Sequence, residues 1–526
     1  MSKKKMFPQY KHNQVLQELL GDPLFISEIK EYADSINASE KELLRKSRKI
    51  FRQIASRYQG MGIHIAAFCI KLIATTFFSG IKTYGNTNAF EDDQYQYLYL
   101  PSHRSHMDYL FVSYVLFLKN IAPPHIAAGI NLSFFPMGMI FRRLGAFFIR
   151  RRISGNFLYL QCLKTYLRWL IAFPLSIELF IEGGRSRDGK IRKPQTGILQ
   201  LIFESFGSRA SKPYKIVPIS INYDFTPEVS SYTQEQHGKE KKKESLFSLL
   251  QSSTRLEKYH ECHIRFLDPI DTHDWIQTHG NNKASIQNLA TQVMQSVQQA
   301  TVVTPFQIIA CAILTLSTPL FEDDLYQACL QIKQYLESAG VMLTDEAKNF
   351  EQNFPNIVDK ILKKGWVSRQ PGFSYQVVDA NRTTIHYYLH SILHFFAPAL
   401  LSITSTEYLA LANDIITREF PVLAPNFAST LEQPETKTII KEIGRCIVLP
   451  YAEILKALHK ESLDKIVHHL AFNPEQKGSH KHTNNSGLTY QKIKHAHDFF
   501  STKSDEEIRQ IDRYLQTLFP AAENLL

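Results

Sequence analysis

Short apolar runs alternate with helix-type patterns between residues 95 and 267, and this alternation restricts the fold more than any other feature of the sequence. The apolar runs have the length of strands, whereas the stretches between them carry the longer periodicity of helices. Alternating strands and helices form a sheet whose faces are covered by helices. The sequence therefore predicts an α/β fold with a twisted mixed sheet covered by helices. The predicted strands are 95–100, 125–129, 146–149, 177–181, 216–223 and 262–267, and the predicted helices are 107–119, 134–144, 157–173 and 197–206.

The chain on either side of this region predicts helices. Residues 1–90 indicate a helical N-terminal region, 91–300 the α/β domain, and 301–526 a helical C-terminal domain with long periodic stretches at 321–339 and 383–404. Two polar segments interrupt the pattern. Residues 235–244 (EQHGKEKKKE) indicate a surface loop or helix end, and residues 474–486 a polar linker or disordered loop.

The composition favours an anionic partner. The formal net charge is +10, which suits a phosphorylated substrate, an acidic carrier or an anionic lipid surface. The six cysteines lie far apart without a CxxC pair, so neither a zinc site nor a disulfide framework is indicated. The start, MSKKK, leads into polar sequence with no apolar core, unlike a signal peptide. We therefore expect a protein of the cytosol or of the cytosolic membrane face.

Residues 61–81 (MGIHIAAFCIKLIATTFFSGI) are the best candidate for membrane contact. Lys71 stands near the middle of this window, and a central lysine costs a spanning helix about 2.5–3.5 kcal/mol. We therefore predict a helix that lies in the membrane interface rather than one that spans it. The alternative is an ordinary buried helix of the globular fold. In the interfacial arrangement four side chains dip into lipid, Phe68, Leu72, Phe77 and Phe78, while two lysines reach back to water, Lys71 and Lys82.

The segment 102–108, SHRSHMD, lies between a predicted strand and a predicted helix, where α/β folds place reactive side chains. If Ser105 begins the helix, the Asp108 carboxylate can accept a hydrogen bond from His103 Nδ1, which leaves Nε2 as a base. An acceptor hydroxyl would then replace the serine of a hydrolase triad. In the simpler interpretation, Ser105 or Asp108 only caps the helix. The spacing alone does not decide between His103 and His106.

Two arginine-rich segments supply candidate phosphate ligands. In FRRLGAFFIRRR (141–152), Arg150 and Arg151 alternate in direction, so at most one of them points at a given site. In FIEGGRSRDGK (180–190), two glycines allow close approach of the backbone to a ligand, and Arg185 and Arg187 would face the same side of an extended loop. The alternative in both cases is a basic surface, which we favour for the outlying arginines Arg142, Arg143 and Arg152.

A fourth segment, IVPISINYD (216–224), carries Pro218 within a predicted strand, which indicates an edge or an irregularity. It is either a core strand or one wall of an apolar pocket. These four segments, in this order, resemble the glycerol-phosphate and dihydroxyacetone-phosphate acyltransferase family, above all its membrane-bound bacterial glycerol-3-phosphate members. The resemblance is dense over residues 95–270 and looser in the last third, as at 386–402.

The resemblance implies a glycerolphosphate-acyltransferase-like fold with particular roles for these residues. It implies that His103 is the base and that Asp108 orients it. It places an acyl-donor pocket at Pro218 and implies no metal. The implied glycerol 3-phosphate ligands are Arg151, Glu182, Gly183, Gly184, Arg185, Ser186 and Arg187.

The expected activity is transfer of an acyl group to the 1-hydroxyl of glycerol 3-phosphate, with acyl-CoA or acyl carrier protein as co-substrate and no other cofactor. The product is 1-acyl-sn-glycerol 3-phosphate, the first intermediate of phospholipid synthesis. The expected location is the cytoplasmic face of a bacterial inner membrane, at an anionic surface. A dihydroxyacetone-phosphate acyltransferase is the alternative, although those proteins typically carry Thr in place of Gly184. A non-catalytic protein that binds membranes or nucleic acid is the rival class; nucleic acid is disfavoured because the arginines interleave with buried-type Phe and Ile.

Overall fold

The computed structural model of the chain comprises two compact units. The first consists of Met1–Arg185, Lys193–Ile221 and His260–Val297, and the second of Ser186–Arg192, Asn222–Tyr259 and Gln298–Leu526. The expected N-terminal region 1–90 is thus part of the same unit as the sheet. The structure describes residues 10–87, 92, 94–151, 153, 155–173, 175–209, 212–236, 259–397, 399–400, 404, 409–422, 440–444, 499–500 and 503–518.

The first unit is built on an eight-stranded sheet. Seven strands follow the order β1-β7-β6-β2-β5-β3-β4, and β8 pairs with β6. The pair β6–β8 is antiparallel, while β1–β7, β2–β5, β2–β6, β3–β5 and β3–β4 are parallel, so the sheet is mixed. The strands are β1 (Gly80–Tyr84), β2 (Gln96–Pro101), β3 (His125–Gly129), β4 (Phe147–Ile149), β5 (Ile177–Glu178), β6 (Tyr214–Tyr223), β7 (Glu261–Phe266) and β8 (Ile270–Asp271).

Helices precede the sheet, connect its strands or follow its last strand. Those of the first unit are α1 (His12–Leu20), α2 (Pro23–Ser35), α3 (Glu40–Ile54), α4 (Gly60–Thr76), α5 (Asp108–Leu118), α6 (Met137–Arg143), α7 (Phe157–Ala172), α8 (Gly197–Arg209), α10 (Thr272–His279) and α11 (Lys283–Gln299). Capping side chains fix where two of these helices begin. Asp22 caps α2 by accepting a hydrogen bond from Phe25 N at 2.9 Å, and Asn156 caps α7 by accepting one from Tyr159 N at 3.0 Å.

The second unit contains the other helices and a small antiparallel sheet of order β10-β11-β9. Its core is formed by large apolar side chains from α12, α13, α15 and α16. The elements are α9 (Val229–Gln236), α12 (Pro305–Thr315), β9 (Leu320–Phe321), α13 (Glu322–Ser338), α14 (Asp345–Lys348), α15 (Phe350–Lys363), β10 (Val367–Gln370), β11 (Ser374–Val377), α16 (Arg382–Ile392), α17 (Leu409–Glu419) and α18 (Asp505–Leu518).

The α/β fold expected from the sequence is confirmed, and each of the six predicted strands is present, with the one at 177–181 shortened to Ile177–Glu178. The sequence patterns did not reveal β1, β8 or the small sheet, because very short strands leave little periodicity. The segment 237–244 of the charged stretch at 235–244 lies outside the described residues, as do the segment 474–486 and Arg152.

The candidate membrane segment 61–81 is only partly a helix. Helix α4 ends at Thr76, and Gly80 begins strand β1, which pairs with β7. The placement of Phe78 in lipid was wrong, because its ring is buried and packs edge-on against Phe111 at 5.0 Å. Lys82 lies in β1 near Glu261, with 3.4 Å between Nζ and Oε1. Among the described residues, no helix has both the length and the apolar character that crossing a membrane takes.

Pro218 lies inside the sheet rather than at its edge. Strand β6 has β7 on one side and β2 on the other, and Pro218 is opposite Leu100 in the parallel register. Its carbonyl oxygen accepts a hydrogen bond from Leu267 N at 3.0 Å. Every residue of β6 except Lys215 is buried, as expected for a parallel strand that is covered on both faces.

Candidate active site

The loops that carry the candidate residues start from one edge of the sheet. Because β2, β3, β4 and β5 run parallel, their carboxyl ends meet at the same edge. His103 follows β2, and Glu182 follows the adjacent strand β5. Arg151 follows β4, three strand spacings from β2, or about 14 Å along the edge. The sheet thus brings His103 and Glu182 together and places Arg151 farthest from them.

His103 and Asp108 form a hydrogen-bonded pair. His103 Nδ1 lies 3.0 Å from Asp108 Oδ2, and the same oxygen accepts hydrogen bonds from Arg104 N at 2.7 Å and Ser105 N at 2.8 Å. Asp108 is fully buried and is the first residue of α5, one residue after the predicted start at Met107 and three after Ser105, the conditional start. The loop wraps around the carboxylate, which points the second ring nitrogen, Nε2, away from Asp108.

His103 is also held from its backbone and its ring face. His103 N donates to Glu182 Oε1 at 2.8 Å, and the ring lies 4.2 Å from the Phe180 ring, centroid to centroid. His106, which the spacing left open, instead packs near Tyr109, with 6.4 Å between the ring centroids. The side chain of His103 is 14% exposed, so the ring is largely fixed while one side remains open to a reactant.

Glu182 is therefore oriented toward His103, although the resemblance implied that it binds glycerol 3-phosphate. Its side chain is buried, and its carboxylate connects the turn after β5 to the loop after β2. Gly183 makes this turn possible, because it adopts φ +67° and an added Cβ would lie 2.9 Å from Gln195 Cγ. Gly184 follows in the same turn and is half-buried.

A second buried carboxyl group, Glu178, lies beneath this loop in strand β5. Neither of its carboxyl oxygens has a hydrogen-bond partner among the residues that the structure describes. Burial raises the pKa of Glu178 well above its ordinary value, and the nearby Asp108 carboxylate raises it further. A carboxyl group with a raised pKa thus lies near the Asp108 carboxylate. Glu178 was not among the residues predicted from the sequence, although a single carboxylate inside the apolar run 177–181 was a usable signal.

The arginines of the second segment have different surroundings. Arg142 donates to the carbonyl oxygens of Ala55 at 2.9 Å and Gln53 at 2.6 Å, so it ties α6 to the end of α3 instead of forming an open basic surface. The Arg150 guanidinium lies 4.5 Å from the centre of the Tyr159 ring and donates to Gln53. Arg151 is exposed and forms no hydrogen bond or ion pair with any residue that the structure describes. Of Arg150 and Arg151, the second is therefore available to a ligand.

Residues 182–192 follow β5 and form what we call the Gly-Gly loop, and its arginines Arg185 and Arg187 fall in different units. Arg185 is half-buried at the end of the first unit, whereas Ser186 and Arg187 belong to the second. Arg187 forms an ion pair with Glu235 of α9, and Ser186 Oγ lies 3.4 Å from Asp188 Oδ1. A phosphate bound by Arg187 would compete with the Glu235 carboxylate. Nothing in the sequence pattern indicated this pairing.

The strand that carries Pro218 supports the loop between β2 and α5, residues 102–107, which we call the histidine loop. Ser102 N donates to Ile219 O at 2.9 Å, and Ser102 Oγ accepts from Ile221 N at 2.9 Å. Strand β6 thus fixes the residue immediately before His103. Pro218 itself is buried in the sheet next to this contact, so its position is one of structural support as well as a candidate apolar wall.

The geometry defines a class of protein, and the comparison of the sequence with family models agrees with it. Residues 81–222 match the family described as "Acyltransferase", which includes all of the histidine loop and the Gly-Gly loop. Residues 232–438 match the family described as "Glycerol-3-phosphate acyltransferase C-terminal region". The chain carries an acyltransferase domain. A relative named glycerol-3-phosphate acyltransferase is 30% identical over 78% of this chain, so the chain belongs to that family, as the resemblance in the sequence had indicated.

Several curated relatives are named glycerol-3-phosphate acyltransferase. A glycerol-3-phosphate acyltransferase of Pseudoalteromonas translucida is 30% identical over 441 residues, covering 78% of this chain and 54% of the relative. Proteins of the same name from Shewanella frigidimarina (31% identical, 74% of this chain, 52% of the relative) and Actinobacillus pleuropneumoniae (28%, 82% and 55%) also match. The chain spans about half the length of these curated relatives. A solved 1-acyl-sn-glycerophosphate acyltransferase from Thermotoga maritima aligns with 55% of this chain and 96% of its own at 15% identity, with a TM-score of 0.29.

Proposed function

We propose that this protein transfers an acyl group from a thioester of coenzyme A or acyl carrier protein to the 1-hydroxyl of sn-glycerol 3-phosphate. The observation that carries the proposal is the 3.0 Å contact between His103 Nδ1 and Asp108 Oδ2 inside a region that matches the acyltransferase family model. The name shared by the relatives supports the choice of glycerol 3-phosphate as acceptor.

The reaction begins with removal of a proton. His103 Nε2 takes the proton of the 1-hydroxyl while the hydroxyl oxygen forms a bond to the thioester carbonyl carbon. Asp108 stabilises the imidazolium that results, because its carboxylate is held against Nδ1 by two backbone N–H groups as well. The tetrahedral intermediate then collapses, the carbon–sulfur bond breaks, and the thiolate recovers the proton from His103. A general base of this kind contributes about 10²–10⁴ in rate.

The phosphate of the acceptor would be held by arginines. The candidates are Arg185 and the exposed Arg151, both of the first unit, whereas Arg187 is paired with Glu235. Arginine suits this task because its planar fork of donors matches the oxygens of a phosphate group. The reaction as proposed uses no cofactor other than the acyl donor, because a thioester is already activated for attack.

The test is consumption of an acyl-CoA thioester by the purified protein with one acceptor at a time. Glycerol 3-phosphate should be acylated with the highest kcat/KM, and dihydroxyacetone phosphate and 1-acylglycerol 3-phosphate with much lower values. Preference for dihydroxyacetone phosphate would indicate the related acyltransferases instead. Absence of transfer to all three acceptors would contradict the proposal.

The proposal includes attachment to the cytoplasmic face of a bacterial inner membrane without a spanning segment. Helix α4 is apolar on two sides. One side is buried in the first unit, and the other carries exposed Met61, Ile65, Phe68 and Leu72 next to the exposed Lys71. Exposed apolar side chains that are flanked by a lysine suit the interface of an anionic bilayer. Each Phe or Leu that enters lipid contributes about 1.5–3 kcal/mol.

Sedimentation with anionic phospholipid vesicles tests this attachment. The double variant Phe68→Ser/Leu72→Ser should remain folded, since both side chains are exposed, and should lose most of the vesicle-bound fraction. A matched control is Phe321→Ser/Phe373→Ser, which removes two exposed phenylalanines of the second unit. Equal loss of binding in both variants, or in neither, would contradict a role for α4.

A further inference from the structure

The end of the Gly-Gly loop is folded into the helical second unit. Residues Ser186–Arg192 follow directly on the candidate phosphate ligand Arg185, yet they belong to the same compact unit as the helices beyond residue 298. Asp188 O accepts a hydrogen bond from His390 Nδ1 of α16 at 2.9 Å. The partner lies more than 200 residues farther along the chain, so the contact depends on the fold of the second unit.

Gly189 fits against the backbone of the same helix. It has φ +92°, and an added Cβ would lie 2.1 Å from Tyr387 O and 3.2 Å from Ser391 N. Backbone atoms do not move aside as a flexible side chain would. The loop therefore lies on α16 at a distance that only glycine permits.

Lys190 fixes the next position through an ion pair with Glu419, the last residue of α17. The two side chains are only 15% and 10% exposed, and Lys190 Nζ also lies 5.3 Å from the centre of the Phe420 ring. A largely buried pair loses much more from the removal of one partner than an exposed pair does, since the other charge remains buried. The loop position is thus sensitive to the charge at both residues.

The loop is therefore held by three helices of the second unit at successive residues. Arg187 pairs with Glu235 of α9, and α9 in turn contacts α16 through Thr233 and Thr384. We propose that α9, α16 and α17 hold Ser186–Arg192, and through the chain the preceding Arg185, in the conformation that binds the acceptor phosphate, with Lys190 and Glu419 as positioning residues. This inference rests on the proposed function of the loop and adds a role for the region that matches the C-terminal family model.

The consequence is a selective effect on one substrate. Displacement of the loop moves the phosphate ligands, while the His103–Asp108 pair keeps its contacts inside the first unit. A misplacement of about 1 Å lowers the efficiency of a site by up to about 10²-fold. Loss of the Lys190–Glu419 pair should therefore raise KM for glycerol 3-phosphate and leave KM for the acyl donor unchanged.

Charge reversal and its rescue test the proposal on the full chain. Lys190→Glu and Glu419→Lys should each raise KM for glycerol 3-phosphate by about tenfold or more with little change in kcat. The double exchange Lys190→Glu/Glu419→Lys should recover most of the affinity, because it restores the pair with the charges exchanged. His390→Phe, which removes the donor to Asp188 O and roughly keeps the volume, should show the same selective effect if the charge reversals fail to fold.

A matched control separates positioning from general stability. Lys333 of α13 pairs with Glu351 of α15 at 2.9 Å in the same unit, and this pair is separate from the Lys190–Glu419 pair. Lys333→Glu should lower the melting temperature without changing KM for glycerol 3-phosphate. The inference is overturned if the loop variants fold and keep the wild-type KM, if both substrates lose affinity together, or if the double exchange rescues nothing. A wild-type protein that does not acylate glycerol 3-phosphate contradicts the proposed function instead.

Discussion

The histidine loop and the end of the Gly-Gly loop differ in what holds them. Within the histidine loop, the Asp108 carboxylate accepts three hydrogen bonds from His103, Arg104 and Ser105, its neighbours in the chain. The segment Ser186–Arg192 instead depends on Glu235, His390 and Glu419, which lie about 50 to 230 residues away in the sequence. The pair proposed for proton transfer is thus fixed locally, whereas the segment that follows the candidate phosphate ligand Arg185 depends on a distant part of the chain.

This difference means that the two loops should fail in different ways. Damage to the local network should reduce kcat, since it changes the base without moving the phosphate ligands. Damage to the long-range contacts should raise KM for the acceptor. Three sets of variants, at Asp108, Glu182 and Glu178, test this difference between effects on kcat and effects on KM. They follow in order from the largest expected effect to the smallest.

Asp108→Asn should give the largest effect of these variants. The amide keeps the shape of the side chain but removes the negative charge that stabilises the imidazolium, so kcat should fall by about 10²-fold or more. KM for glycerol 3-phosphate should stay within about twofold of the wild-type value, because no arginine moves. Steady-state kinetics with both substrates and circular dichroism provide the measurement. A kcat close to that of the wild type would mean that Asp108 only caps α5.

Substitutions of Glu182 test the hydrogen bond between the two loops, in which His103 N donates to Glu182 Oε1. Glu182→Ala removes the acceptor of the His103 N–H bond, and the loss of one such bond in a buried site corresponds to about five- to tenfold in kcat. Glu182→Gln keeps a carbonyl oxygen at the same position and should lose little. Comparison of kcat and of KM for glycerol 3-phosphate in the two variants is the measurement. If Glu182→Gln and Glu182→Ala lower kcat equally and both raise KM for glycerol 3-phosphate, Glu182 contacts the acceptor directly.

Of these substitutions, Glu178→Gln should have the smallest effect on kcat, together with a measurable effect on the stability of the fold. The pKa of Glu178 is raised in the folded state, so its stabilising contribution is complete below the ordinary pKa of glutamate and is lost as the pH rises through the folded pKa. Glu178→Gln removes this titration. Its melting temperature should therefore fall less than that of the wild type as the pH rises above the ordinary pKa of glutamate. If the melting temperatures of the two proteins changed equally with pH, the raised pKa of Glu178 would be contradicted.

The same contrast explains which parts of the site could be predicted from the sequence. Six strands were recognised because parallel strands covered on both faces form continuous apolar runs, and the segment around His103 was recognised because its partners are close in sequence. The contacts of Arg187 and Lys190 join residues whose proximity depends on tertiary packing, for which local patterns carry no signal. Phe78 was misplaced for a related reason, since the apolar run at 61–81 contains both a helix end and the approach to β1.

The kcat of His103→Ala is the most direct test of the central claim that His103, oriented by Asp108, is the base of acyl transfer. The measurement is transfer from an acyl-CoA to glycerol 3-phosphate at saturating concentrations of both, with the melting temperature as a check of folding. We expect a folded protein whose kcat is lower by about 10²–10⁴-fold and whose KM for glycerol 3-phosphate is little changed. A folded His103→Ala protein that turns over within about threefold of the wild-type rate would contradict it.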